Sequence, residues 1–355
     1  MVLDTLTITF ELAQESRDKC AKAFKTVHYF PNRDEAPPRD VVQATEIWFC
    51  NWLGLPDDVR EEDLGKTKIV QLTSAGANMA LKHPAFQDPK LVKQIKICNT
   101  SGIHAYSIPQ YIIGQIVNCE LRLAEKRWPA RNEMKYRPDP NEAPSSSFGA
   151  TSYYKMRGRT AGLLGYGAIA RETARLLQAF GIKVIAANSR GERRVDDGYI
   201  IPGTGDKEGT IPEQYYSTSD PESFKQFLNR SEILIASLPS TPQTHYMLTR
   251  EHFAQLPKDA IFINVGRGDL AKSEDILAAL DQPEGLLAVG LDVTDPEPLP
   301  KGHALLSHPR AVITPHNSSD FAGYFDAGTD MMIASVERVR QGGEPMNVID
   351  PEKGY

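Results

Sequence analysis

The stretch Gly165-Tyr166-Gly167-Ala168-Ile169-Ala170 decides how the rest of this 355-residue chain is read. It follows the apolar run 161–164 and opens a helical pattern in which Ile169, Thr173, Leu176, Leu177 and Phe180 share one face. A strand that turns through two glycines into a helix is the context a dinucleotide fingerprint requires. The first glycine permits the tight turn, the second lets a pyrophosphate approach the backbone, and a small residue, here Ala170, lets helix and strand pack. The helix N-terminus supplies unpaired N–H groups to the phosphates. Gly165, Gly167, Ala168 and Ile169 are therefore candidate cofactor contacts.

Outward from this turn, short apolar runs alternate with helical patterns, the order of parallel α/β units. Strands are predicted at 161–164, 184–187, 233–236, 261–265, 287–291 and 312–313, preceded by an earlier series at 6–10, 47–49, 69–72 and 95–98. Asp220-Pro221-Glu222 supplies an N-cap, a first-turn proline and an acid at the positive end of a helix dipole. Ser273-Glu274-Asp275 is read as starting another helix in the same way. Long helices over 108–128 and 325–341 flank the second series and connect it to the first. The polar, Pro-rich stretch 137–147 reads as an exposed loop, and the Gly- and charge-rich 191–217 as a loop insertion after the second strand of the cofactor domain. No period of 20–50 residues repeats, which excludes solenoids and propellers.

Composition limits the function classes. The length implies two domains, and 41% apolar with 24% charged residues is ordinary for a globular protein. A net charge of −6 argues against nucleic acid or an anionic membrane as the main partner. No apolar run approaches the ~20 residues of a membrane helix, and the opening MVLDTLTITF lacks the basic region of a signal peptide. Cys20, Cys50, Cys98 and Cys119 are widely spaced with no CxxC pair, so they read as buried thiols, with no metal site and no disulfide framework. A cytoplasmic setting follows.

The end of the second cofactor-domain strand reads Ala187-Asn188-Ser189-Arg190. Dinucleotide units that take NAD usually place Asp or Glu there, on the ribose 2′-hydroxyl. A neutral Asn188 does not repel a 2′-phosphate, Ser189 can donate a hydrogen bond, and Arg190 can hold the phosphate bidentately. NADP is the expected cofactor, with NAD possible.

Three further turns, each ending a predicted parallel strand, resemble in chain order those of the D-isomer-specific 2-hydroxyacid dehydrogenases. Ile263-Asn264-Val265-Gly266-Arg267-Gly268 resembles the family's catalytic-arginine turn, Leu291-Asp292-Val293-Thr294-Asp295-Pro296-Glu297-Pro298 its catalytic-glutamate turn, and Thr314-Pro315-His316 its catalytic-histidine turn. The residue types suit one reaction. A 2-keto acid carries a carboxylate and a carbonyl, and hydride addition leaves an alkoxide that needs a proton. Arg267 can pair with the carboxylate and polarise the carbonyl, His316 can give the proton, and Glu297 can orient the ring and favour the imidazolium.

The resemblance extends over most of the chain. Leu72-Thr73-Ser74-Ala75-Gly76-Ala77 is similar to the substrate loop, which implies that the backbone at Ala75 and Gly76 holds the substrate carboxylate. Asn99-Thr100-Ser101-Gly102 resembles the loop entering the interdomain helix. Leu238, Pro239 and Thr244 resemble the cofactor-cradling loop. Val265, Gly266, Ser318 and Asp292 complete the implied cofactor set, Asp292 on the nicotinamide amide. Pro109-Gln110 departs from the family's usual Ala-Glu, and Trp52 and Trp128 are read as core or interface residues before pocket walls. The family implies a Rossmann-type domain, 110–316, inserted in a flavodoxin-like substrate domain, 1–109 and 317–355, and a homodimer. Glu297, where formate dehydrogenases carry Gln, points away from that branch, and NADP use points to a glyoxylate/hydroxypyruvate reductase-like activity. The alternative from another class is a dinucleotide-sensing, corepressor-like binding protein of the same fold, disfavoured by the acidic charge and the intact catalytic residues.

Overall fold

The computed structural model describes residues 3–32, 35, 37–123 and 155–350. The Pro-rich stretch 137–147 and Trp128 lie outside them, and the helix expected over 108–128 is corrected to Ile108–Leu121, since Arg122 takes a left-handed φ of 53° that ends it. The chain divides into two compact units: Met1–His104 with Asp197–Ile201 and Phe321–Tyr355, and Ala105–Asp196 with Pro202–Asp320.

The first unit holds a five-stranded parallel sheet of β1 (Thr5–Ile8), β2 (Thr26–Tyr29), β3 (Ile47–Cys50), β4 (Ile69–Leu72) and β5 (Lys96–Cys98), in the order β2-β1-β3-β4-β5. Its central strand shows why the sequence runs apolar without alternation. Ile47 and Phe49 enter one core with Leu6, Cys20 and Met332, while Trp48 and Cys50 enter the other with Val70, Leu72 and Ile97. A parallel sheet covered on both faces requires this. The helices Gln14–Ala23 and Tyr324–Arg340 share one face, joined where Ser16 and Lys19 both donate to Asp326. The sequence pattern misses β2. Thr-Val-His-Tyr sits at the sheet edge with no fully buried residue, so it lacks the apolar run that marks its neighbours.

The second unit holds seven parallel strands: β6 (Thr160–Leu164), β7 (Lys183–Asn188), β8 (Tyr215–Ser217), β9 (Ile233–Ala236), β10 (Ile261–Asn264), β11 (Ala288–Leu291) and β12 (Ala311–Ile313). Their order is β12-β11-β10-β9-β6-β7-β8. The first strand therefore lies inside the sheet, and the chain's direction of travel across the sheet reverses between β6 and β9, the switch point at which open α/β sheets bind ligands. β9 repeats the two-faced logic: Ile233 and Ile235 pack on one side, Leu234 and Ala236 on the other.

Two readings of the sequence need correction here. The 191–217 segment is not all loop, because it ends in β8, the edge strand beside β7. Three residues are too few to show a period, which hid it. The second concerns Ser273, which lies inside its helix, Ser273–Asp281, after Lys272 at the N-cap. Its hydroxyl bonds the carbonyl of Asp295 and caps nothing. Asp220, by contrast, does cap the helix Pro221–Arg230 through the Glu222 amide.

All four cysteines are free and buried. Burial pushes the thiols of Cys20, Cys98 and Cys119 up to about 12. Among the described residues no helix is long and apolar enough to cross a membrane, and no group of His, Cys, Asp and Glu could hold a metal ion.

Gly162, in the middle of β6, tests how tightly the second unit is packed. A Cβ there would lie 1.9 Å from the Ser231 hydroxyl oxygen and 3.0 Å from the Phe227 ring. Gly162→Ala should therefore overpack the sheet at a cost of about 1–3 kcal/mol. The measurement is the urea midpoint of the second unit's unfolding, and a midpoint equal to wild type would show that the strand has room to spare.

Candidate active site

The second unit brings six turns to the carboxyl edge of its sheet, one after each of β6, β7, β9, β10, β11 and β12. At the end of β6, Gly165 adopts a left-handed φ of 89° that a side chain would strain. A Cβ on Gly165 would also meet the Leu238 side chain at 2.9 Å. Gly167 is the N-cap of the helix Ala168–Ala179, with no side-chain cap and with open space where a Cβ would sit. The backbone of this turn is thus unobstructed and its first helical amides are uncapped by any side chain, as a pyrophosphate would need. The residues present fit a dinucleotide.

At the end of β7, Asn188 does more than avoid a charge. Its Oδ1 accepts from the amides of Arg190 at 3.0 Å and Gly191 at 2.8 Å, and its Nδ2 donates to the Glu192 carbonyl at 2.8 Å. Asn188 therefore builds the turn that displays Ser189 and Arg190, both exposed. Arg190 has no ion-pair partner among the described residues. After β9, the Thr244 hydroxyl donates to the Pro239 carbonyl at 2.7 Å and closes the loop that carries Leu238.

The arginine turn follows β10. The buried Asn264 side chain accepts from the Gly266 amide at 3.0 Å and donates to the Arg267 carbonyl at 2.9 Å, which fixes the backbone on both sides of Val265 and Gly266. A Cβ on Gly266 would lie 2.5 Å from the Leu238 carbonyl oxygen, so no other residue fits there. The Arg267 guanidinium bonds the Gly266 carbonyl at 2.7 Å and has no carboxylate partner among the described residues. It is a half-buried cation with capacity left for an anion.

The last two turns come together at the ends of β11 and β12. His316 Nδ1 lies 2.6 Å from Glu297 Oε1, and both side chains are about two-fifths exposed, at 45% and 40%. His316 has a left-handed φ of 53°, and the backbone around it is held by one carboxylate. Asp292, 2% exposed, accepts from the Thr314 hydroxyl at 2.6 Å, the Asn317 amide at 3.1 Å, and the amide and hydroxyl of Ser318. The Tyr111 hydroxyl bonds Thr314 in turn at 2.8 Å, and burial pushes that phenol up to about 12. The sequence reading missed Asn264, Thr314 and Tyr111. Only Asn264, a lone polar residue closing an apolar strand, left a local signal.

In the first unit, the loop after β4 is fastened from beneath. Asn99 Nδ2 donates to the Ala75 carbonyl at 3.0 Å, and the Ser74 hydroxyl to the Gly76 carbonyl at 2.6 Å. The amides of Ala75 and Gly76 have no partner among the described residues. Trp52 is 52% exposed, which removes the core half of its core-or-interface reading, since its loop follows β3 on the surface.

The comparisons with known proteins agree with this architecture. Residues 141–318 match the D-isomer specific 2-hydroxyacid dehydrogenase, NAD binding domain, so the chain belongs to the D-isomer-specific 2-hydroxyacid dehydrogenase family. A glyoxylate/hydroxypyruvate reductase A of Yersinia enterocolitica is 32% identical over 196 residues, 55% of this chain. That match spans 56% of the relative's own length. A glycerate dehydrogenase of Methylorubrum extorquens is 23% identical over 346 residues, covering 96% of this chain and 98% of that one. Among solved structures, a family member from Xanthobacter autotrophicus in complex with NADPH shares the fold at a TM-score of 0.72, with 19% identity and all of both chains covered.

Asp292 carries the clearest structural prediction of the site. Asp292→Ala leaves four donors without their acceptor, the two of Ser318 buried, and should cost about 2–4 kcal/mol. Thr314→Val removes one of those bonds and should cost less. Thermal melting of the two variants checks the order, and equal losses would mean that Asp292 does not organise the turn around His316.

Proposed function

We propose that this protein reduces a small 2-keto acid of the glyoxylate/hydroxypyruvate class to the D-2-hydroxy acid, with NADPH preferred over NADH. The observation that carries the reading is the 2.6 Å contact between Glu297 and His316, on turns tied together by Asp292. When bound, the nicotinamide supplies the hydride. The protein's part is binding, orientation and the proton. Arg267, an unpaired planar cation, binds the substrate carboxylate and polarises the carbonyl. The Ala75 and Gly76 amides, without a partner among the described residues, suit a substrate carboxylate. His316, held through Nδ1 by Glu297, keeps Nε2 for the substrate oxygen and gives it a proton. Gly165, Gly167, Ala168, Ile169, Leu238, Pro239, Thr244, Val265, Gly266 and Ser318 form the cofactor cradle, with Asn188, Ser189 and Arg190 at its ribose end. In this reading 110–316 serves the dinucleotide, and 1–109 with 317–355 serves the substrate. Family likeness further supports a homodimer.

The proton assignment is tested by keto-acid reduction in His316→Ala and Glu297→Gln. His316→Ala removes the proton donor and should lower kcat by about two to four decades, with cofactor binding close to wild type. Glu297→Gln keeps the size of the side chain but removes the carboxylate from Nδ1, and should lower kcat in the same direction. A His316→Ala protein with wild-type kcat would sink the assignment of His316 as the proton donor.

The cofactor preference is tested at Arg190. Losing a bidentate arginine–phosphate contact costs about 1.5–3 kcal/mol, or roughly one to two decades in affinity. Arg190→Ala should raise the dissociation constant for NADPH by that factor and leave NADH nearly unchanged. Equal effects on both cofactors would refute the preference.

A further inference from the structure

The 191–217 segment, to which the family resemblance assigns no role, is bonded to the dinucleotide fingerprint itself. Tyr166, the residue between the two glycines, is buried, at 8% exposed. The ring packs edge-on against Tyr215 at 5.6 Å between centroids. Its hydroxyl donates to the buried Asp206 Oδ2 at 2.7 Å. The same carboxylate accepts from the amides of Thr210 and Ile211, both at 3.0 Å. Burial alone would raise the Asp206 carboxyl, but those amides, the Tyr166 hydroxyl and the Arg171 charge outweigh it and hold it below the usual carboxylate range. Asp206 is therefore an anion inside the segment, fully committed to donors on both sides.

The first turns of the fingerprint helix grip the segment at two more points. The Arg171 guanidinium lies over the Tyr166 ring and donates to the carbonyls of Asp206, Lys207 and, at 2.7 Å, Arg194. Glu172 accepts from the Gly205 amide at 2.7 Å. Arg194 lies four residues beyond Arg190, on the irregular leg that leaves the Asn188 turn. One guanidinium thus joins the helix behind the pyrophosphate turn to the chain that carries the ribose-end residues.

We propose that the 191–217 segment is a brace for dinucleotide binding, in which Tyr166, Arg171 and Asp206 are positioning residues that hold the fingerprint turn in its binding shape. The inference rests on the dinucleotide reading of Gly165–Ile169, but not on the preference for NADPH. The brace acts on the turn shared by both cofactors. Its loss should weaken NADPH and NADH alike, whereas loss of Arg190 should weaken NADPH alone.

The test is a fluorescence titration of purified Tyr166→Phe and Asp206→Asn protein with each cofactor, beside steady-state kinetics and melting of the cofactor-free form. Tyr166→Phe keeps the ring and deletes one hydrogen bond to a carboxylate. It should raise both dissociation constants about three- to tenfold, with the kinetic loss falling on KM for the cofactor far more than on kcat. Asp206→Asn keeps the size of the side chain and should act in the same direction, which protects the test if one variant folds poorly. Lower melting temperatures with unchanged dissociation constants would reduce the contact to a structural one and overturn the proposal. A loss confined to NADPH would also overturn it. A wild-type protein that binds neither cofactor would instead sink the dinucleotide reading beneath it.

Discussion

The carboxyl edge of the seven-stranded sheet depends on how closely the backbone passes Leu238. A side chain on Gly165 would strike the Leu238 side chain, and one on Gly266 would strike its carbonyl oxygen. β6, β9 and β10 are adjacent parallel strands, so their three exits must share little room. Two glycines and the loop closed by Thr244 meet that constraint. At Gly266 the crowding is backbone against backbone and permits little adjustment, while at Gly165 it is backbone against the Leu238 side chain. The fingerprint turn and the arginine turn are thereby fixed relative to each other before any ligand arrives.

A second layer of organisation uses polar side chains as staples. Asn264 ties the arginine turn, Asn188 ties the ribose-end turn, and Asp292 ties the histidine turn. Each sits at or just after the last residue of a strand, where the ladder ends and backbone groups would otherwise be left without partners. The side chains of Arg190, Arg267 and His316, proposed to meet cofactor and substrate, are in this way mounted on short loops whose backbones have little freedom. Preorganisation of that kind is what electrostatic stabilisation of a developing charge requires.

The parts of this arrangement legible in the sequence are those with local causes. Buried parallel strands read as apolar runs, and glycine turns and catalytic residue types announce themselves within six or eight positions. The remainder depends on partners far apart in the chain. Tyr166 meets Asp206 across 40 positions, and Tyr111 meets Thr314 across 203. No periodicity encodes such pairs. β2 and β8 were invisible for a different reason, since an edge strand of three or four residues borrows its order from its neighbour. Ser273 shows the converse failure: a residue suited to accept at a helix N-cap instead donates its hydroxyl to the Asp295 carbonyl, through tertiary structure.

The four cysteines bear on how the protein can be handled. Each is buried and free, and three have thiols whose thiolate form is suppressed far above neutral pH. Thiolates are what alkylating reagents, peroxide and disulfides attack. Burial of all four thiols should make the folded chain slow to react with maleimides and with air. A single cysteine introduced on an exposed loop would be the one site to take a fluorophore or spin label, without first stripping the native thiols from the core.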